Sequence, residues 1–520
     1  MDGIRDRFSV AAAKKHISAQ PGLWLVIILL GCLAPALWYW HKQTGKFFFA
    51  LSADDYHRTL YAWESHTGTL LPSTLWPPLQ FWLNGLVLYV YPYLLSVPYL
   101  VNICATTLTA GALVGISRRL GLSWWLCAGV VSALMTIPWV VWLSVSALVD
   151  PLFFAAVAVA YWMSLAWQQT QRRRWIWVAG LSFAAAGMFR FDAWGHAVPF
   201  SIYVFVTALL RRQHLSRIDT IAAVLPWVFP VFWLGYQYSL AGDFFYFANV
   251  TKNYWIATHP GVQLSVAERL LTQPRSLVAL GGIFVPIAAI GWIVIRKMPG
   301  VKLIGIMWLA GMALMINSTL RYVISNNHPA RLIVCSLILL IPFGFVAIQQ
   351  IAQRMGARRL AGLTVLLIFI GLNIMANARQ IGAYIQEPGE DIALIGLHIG
   401  GLRNQGSLGP ADTILVETKV WDYLKIQLAS QTPDQVLFDR QPRIKVFPDG
   451  SRGFDDLTNP SVFAQPPGEL QRWLEDRNTR LVIAYTDATI AKLRPLGQET
   501  LVAGIFHVFL LDDPQTSPIK

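Results

Sequence analysis

Charge is what this chain has least of. Only 13% of its 520 residues are Asp, Glu, Lys or Arg, against 55% hydrophobic. A soluble globular protein carries about 25% charged residues, so a soluble enzyme is excluded. Cysteine is also scarce. Cys32, Cys104, Cys127 and Cys335 all lie inside apolar stretches, which implies neither a disulfide framework nor a zinc site. Acidic residues number 28 against 41 basic ones, a formal charge of +13. A nucleic-acid binder would spread that excess over a polar surface. Here the basic residues fall in short clusters between apolar stretches, so no nucleic-acid partner is expected. A cleavable leader is not expected either, because residues 1–20 are polar and basic and the first apolar run is long enough to span. What the chain does have is length and 22 Trp, too much of both for a small membrane anchor. The pattern is that of a polytopic membrane protein.

Apolar runs suitable for spanning fall at 23–40, 97–116, 123–141, 149–168, 175–190, 195–210, 220–238, 276–295, 303–318, 332–349 and 360–376. Basic clusters separate them: Arg118-Arg119, Arg172-Arg173-Arg174, Arg211-Arg212 with Arg217, Arg296-Lys297 with Lys302, and Arg354 with Arg358-Arg359. Together with Arg5, Arg7, Lys14 and Lys15 they lie on one side only if the spans number about eleven, which places the N-terminus inside. The segment 77–93 would invert every later cluster if it spanned. It reads instead as a helix on the outer interface, started by Pro77 and Pro78, with a true span as the alternative.

The outer face then collects the loops 41–96, 142–148, 191–194, 239–275 and 319–331, which hold most of the unusual polar residues. Chemistry is expected there. From about residue 385 the composition changes. Glu390–Gly401 reads as a helix, Asp412–Glu417, Gln435–Phe438 and Arg480–Tyr485 as short buried strands, and Lys419–Ala429 and Pro467–Asp476 as helical or loop segments. Thr500–Leu511 reads as a final strand or hairpin. The expected organisation is a transmembrane domain over 1–384, with interfacial helices in 41–96, and a small α/β domain over 385–520 on the outer face. That domain has no Gly-rich phosphate loop, nucleophile elbow or metal motif, which suits a stabilising or acceptor-positioning lid.

The first outer loop opens with Asp54-Asp55-Tyr56-His57-Arg58, and Tyr56, Leu60 and Trp63 share one helical face. Asp54 reads either as an N-cap with Asp55 complementing the helix dipole, or the pair supplies a general base or metal ligand at the membrane surface. Asp150-Pro151 starts a span and reads as an N-cap with proline at its favoured place, or as a second functional acid. Arg190 and Asp192 interrupt two spans at their outer ends, where they can pair with each other or Arg190 can bind a phosphate. Arg321 and Arg331 frame a loop containing His328 and run against the positive-inside bias, which favours an anionic ligand or headgroup snorkelling. The loop 242–255, with Lys252 and Tyr254, is aromatic and polar around one cation and suits a sugar or lipid head. Cations beside a carboxylate on one face are what a lipid-linked phosphosugar needs: one set grips the leaving phosphate while the acid deprotonates an acceptor hydroxyl.

These motifs, in order, resemble the clan C glycosyltransferases, which include the protein O-mannosyltransferases and the aminoarabinose transferases of lipid A. The likeness rests on Asp54-Asp55-Tyr56 to Gly68, Trp76-Pro77-Pro78-Leu79, Ser146–Phe154, Phe189-Arg190-Phe191-Asp192, Gly242–Phe247 and His328–Leu332, and covers roughly 23–376. It implies an integral-membrane, inverting transferase moving a hexose such as mannose, or a pentose, from a polyprenyl phosphate to a glycan, lipid or protein acceptor. The expected place is the outer side of a bacterial inner membrane. By the same resemblance Asp54 or Asp55 is the base or acceptor-binding acid, Asp150 the second acid, and Arg190 and Arg331 the donor-phosphate ligands. We add Lys252 to that set, and Arg58, Tyr254 and His328 as substrate contacts. The family's Asp-Glu and Ser-Glu pairs stand here as Asp-Asp and Leu-Val-Asp, which leaves Asp54 against Asp55 open. Some relatives use a divalent metal ion and others do not, so a metal stays undecided. The rival from another class is a lipid or solute transporter, which predicts polar residues in mid-span and inverted repeats.

Overall fold

The computed structural model describes residues 53–210, 217–258, 264–322, 329–354, 390–419, 422–440, 443–446, 452–456 and 460–512. The candidate spans 23–40 and 360–376, and His328, lie outside them. The helices in chain order are α1 (Ala53–His66), α2 (Leu79–Leu88), α3 (Val97–Arg119), α4 (Trp124–Met135), α5 (Pro138–Ser144), α6 (Asp150–Thr170), α7 (Arg173–Phe189), α8 (Ala193–Leu210), α9 (Arg217–Ala241), α10 (Tyr246–Thr258), α11 (Val266–Gly281), α12 (Phe284–Ile295), α13 (Val301–Leu320) and α14 (Pro329–Arg354). Beyond them follow α15 (Glu390–Asn404), β1 (Thr413–Val416), α16 (Asp422–Ala429), β2 (Val436–Phe438), β3 (Arg443–Val446), β4 (Arg452–Asp456), α17 (Pro467–Glu475), β5 (Thr479–Ala484), α18 (Asp487–Leu493), β6 (Gly497–Ala503) and β7 (Phe506–Leu511). The chain divides into two compact units, one of residues 1–39, 71–80 and 99–385, the other of 40–70, 81–98 and 386–520.

The first unit is helical. Five of the described helices are long and apolar enough to cross a membrane, or up to seven if each of two bent pairs counts as one span. Two expected single spans are these bent pairs. The run 123–141 breaks between α4 and α5 at 71°, where Pro138 opens a new helix. The run 276–295 breaks between α11 and α12 at 96°, with Gly282 at a positive φ of 52°. The helix α6 packs on α7, α7 on α9, α8 on α13 and α12 on α14. Small residues allow the crossings to close: a Cβ at Gly180 would lie 2.3 Å from the Ala222 carbonyl oxygen, and one at Gly291 1.9 Å from that of Phe343. Other faces stay apolar and open, as along Val224, Val228, Val231 and Phe232 of α9. With no polar layer to meet water, such a face suits lipid, and the unit is an integral-membrane body.

The second unit holds a five-stranded sheet of order β2-β1-β5-β7-β6 and a separate β3-β4 hairpin. The strand β1 runs parallel to β2 and β5, and β7 antiparallel to β5 and β6. Central parallel strands read as unbroken apolar runs because both faces are covered, as in Ile414-Leu415-Val416. Leu415, Val482 and Phe509 pack there against Leu470 and Leu474 of α17 and Ile490 and Leu493 of α18. The Glu417 carboxylate accepts hydrogen bonds from the Tyr485 and Thr486 backbone N–H groups and from the Thr486 and Thr489 hydroxyls, which closes the N-terminus of α18.

The helix α1, and α2 from Phe81 onward, belong to this unit. Tyr61 meets Phe81 edge to face at 5.4 Å, and the indole of Trp63 donates to Asp434 at 2.9 Å. At ten residues, α2 reaches only about 15 Å and cannot cross a hydrocarbon layer of about 30 Å.

Candidate active site

Three helix ends build the charged centre of the first unit. Asp150 opens α6, Arg190 is the extended residue that ends α7, and Arg331 stands in the first turn of α14. Asp150 is 1% exposed, a position an isolated carboxylate could not hold. It is compensated by two guanidiniums. Arg190 Nη1 donates to Oδ1 at 2.8 Å, and Arg331 donates to Oδ2 from Nε at 3.1 Å and from Nη2 at 2.8 Å. Arg190 also donates from Nε and Nη2 to Asp192 Oδ2, at 2.9 and 2.6 Å, and its guanidinium carbon lies 5.5 Å from the Phe153 ring centroid. The sequence offered Arg190–Asp192 pairing and phosphate binding as alternatives. The pairing is present, and a second carboxylate shares the same guanidinium.

The capping reading of Asp150 is corrected here. Val149 is the N-cap and makes no side-chain capping bond, while Asp150 is the first helical residue and its carboxylate serves the arginines. The chain before it, residues 144–149, is buried, so its carbonyls need donors. Asn102 supplies its amide to Ser146 and Leu148, both at 2.7 Å, and Gln80 supplies its own to Ala147 at 2.7 Å. Sequence reasoning missed both amides; the signal was a lone Asn and a lone Gln inside apolar helical runs.

Asp54 and Asp55 both stand in the first turn of α1, inside the second unit. Asp54 is half-buried, and Asp55 and Arg58 are buried. The same helix carries Glu64, whose pKa is raised above its ordinary value by burial and then by the neighbouring Asp434. Lys252 is exposed on α10 and Tyr254 half-buried on the same helix. The residues brought together are therefore Asp150, Arg190 and Arg331, with Asp192 as the expected partner of Arg190.

A divalent metal does not fit at Asp150. Both carboxylate oxygens already accept from guanidiniums, and a cation there would face two like charges. Among the described residues no group of three or more His, Cys, Asp or Glu is placed to hold a metal ion.

No family model and no curated protein matches the chain by sequence. Solved structures match it by shape. ArnT from Cupriavidus metallidurans bound to undecaprenyl phosphate superposes with a TM-score of 0.61 at 13% identity, covering 96% of this chain and 100% of that one. The apo state of the same protein gives 0.56 at 14% identity, covering 94% and 97%. The chain thus shares its fold with ArnT, and its resemblance to the clan C glycosyltransferases holds at the level of that fold.

Proposed function

We propose that this chain is an inverting glycosyltransferase of the bacterial inner membrane that takes a hexose or pentose from a polyprenyl phosphate at the outer face. The acceptor is a hydroxyl of a glycan, lipid or protein. The observation that carries the reading is the convergence of Arg190 and Arg331 on buried Asp150, in a fold shared with a protein solved with undecaprenyl phosphate.

The chemistry follows from the donor set. Arg331 uses one Nε–H and one Nη2 hydrogen on Asp150, and its remaining N–H groups can grip a phosphate oxygen. Arg190 is held by two carboxylates and stiffens the site from the other side. The acceptor oxygen attacks the anomeric carbon as the bond to the phosphate oxygen breaks, and the phosphate leaves with the electron pair under guanidinium stabilisation. A carboxylate takes the acceptor proton. With both its oxygens on arginines, Asp150 suits the role of holding them better than that of base, and the resemblance gives the proton to Asp54 or Asp55.

The test is to incubate the purified protein, in membranes, with labelled polyprenyl-phosphate hexose or pentose and to follow the label. Transfer by the wild type, lost in Asp54→Asn or Asp55→Asn while the protein stays folded, supports the assignment. Full activity in both variants removes these acids from the mechanism, and no transfer to any envelope fraction overturns the reading.

A further inference from the structure

A histidine inside an apolar helix is costly unless its ring nitrogens are paired. His196 of α8 is 1% exposed, and three helices meet at it. Its Nδ1 lies 2.8 Å from the hydroxyl of Tyr161 on α6, with the rings edge to face at 5.8 Å. With Nδ1 accepting the Tyr161 O–H, the ring proton sits on Nε2. The helix α13 admits the ring because residue 311 is glycine, where a Cβ would lie 2.0 Å from His196 Cε1. The fit is reciprocal, since a Cβ at Gly195 would lie 2.8 Å from that of Leu314.

What this tie holds is the charged centre. Asp192 precedes His196 by one helical turn and accepts both Nε and Nη2 of Arg190. Tyr161 sits on the helix that Asp150 opens. A hydrogen bond between Tyr161 and His196 therefore joins the helix of one carboxylate to the helix that follows the other. A transporter would also place polar groups in mid-span, but these two bond each other across two helices, which is the behaviour of packing glue.

We infer that His196 is a positioning residue: through Tyr161 it sets α8 against α6, and so fixes Asp192, Arg190 and Asp150 in the arrangement that presents the guanidiniums to a lipid phosphate. The geometry stands by itself, and the ligand rests on the function proposed above.

The test is a double-mutant cycle on the full-length protein with Tyr161→Phe and Asp192→Asn, read by binding of undecaprenyl phosphate and by thermal unfolding. Tyr161→Phe removes one hydroxyl at constant volume. It is expected to weaken undecaprenyl phosphate binding by about threefold to tenfold, the scale of one lost hydrogen bond. The double variant is expected to bind little worse than Asp192→Asn alone, because the tie acts through Asp192. His196→Asn, whose amide oxygen stands near the place of Nδ1, should recover more affinity than His196→Leu. Wild-type affinity in Tyr161→Phe, or losses that multiply in the double variant, would overturn the inference. Should the wild type bind no undecaprenyl phosphate, the donor assignment falls, and the unfolding cycle still decides the tie: coupled changes support it and additive ones refute it.

Discussion

Asp150→Asn is the sharpest probe of the charged centre, because it keeps the shape and deletes one charge. The carboxylate is 1% exposed and the side chains of Arg190 and Arg331 are 15% and 12% exposed. Two arginines and two aspartates balance one another there. Asparagine leaves a net positive charge in a nearly closed site and turns an N–H towards a guanidinium. Removing one partner of a buried ion pair costs about 3–5 kcal/mol. Arg190 keeps Asp192 and both arginines keep some water, so the lower end, about 3 kcal/mol, is expected. At about 2–4 °C per kcal/mol for a domain of 150–250 residues, that is a fall of about 6–12 °C, and less in a larger unit. Intrinsic-fluorescence melting of the purified protein in detergent measures it. A second arm guards the interpretation. Adding Arg331→Met to Asp150→Asn removes the orphaned charge and should return part of the loss. A single variant within about 1 °C of wild type, or a double variant that melts lower still, would refute the reasoning.

The same geometry constrains the arginine. Arg331→Ala is expected to raise the donor concentration needed for transfer several-fold while turnover at saturation changes less. Arg331→Lys should restore only part, since one ammonium cannot bond Asp150 and also reach a phosphate as a guanidinium does; unchanged donor dependence in Arg331→Ala removes this residue from donor binding. Glu64 provides a pH test outside the membrane-spanning segments. Its folded pKa is raised by burial and by Asp434, so the folded state holds the proton more tightly than the unfolded chain. Stability is then highest below the ordinary carboxylate value and falls as pH rises through the raised one. Glu64→Gln should flatten that fall, as seen in melting curves between about pH 4 and 7, and an equally steep fall in the variant would exclude Glu64 as its source.

Much of this fold was legible because membrane spans and buried strands are local patterns. Apolar runs marked α3, α6, α9, α13 and α14 to within a few residues. Unbroken apolar triplets marked β1 and β5, which are buried on both faces. The breaks were less visible. Pro138 splits α4 from α5, while Pro199, Pro226, Pro230, Pro274 and Pro342 sit inside continuous helices. In an apolar helix proline is tolerated where neighbours re-satisfy the freed carbonyl, so proline alone does not announce a bend. The β3-β4 hairpin, absent from the sequence reading, is a ladder of mixed charged and apolar residues with little alternation to detect.

The site was legible as a list of residues and not as an arrangement. Each acid or arginine at the end of an apolar run stood out because a charge there needs a reason. Composition along the chain cannot say which of those reasons are one another. Arg331 reaches Asp150 from 181 positions farther along the chain, and that contact changes the part Asp150 is suited to play. An acid counted among possible bases becomes the anchor of two cations. Gln80, Asn102 and His196 follow the same logic one step further out. Each is a polar side chain in an apolar stretch, and each hydrogen-bonds a backbone or hydroxyl group on another segment. Burying one such group unpaired would cost about 1–3 kcal/mol, so their survival in apolar helices is itself a signal of long-range pairing. Reading them as anchors of specific loops and helices, rather than as impurities in hydrophobic runs, is what ties the charged centre to the packing beneath it.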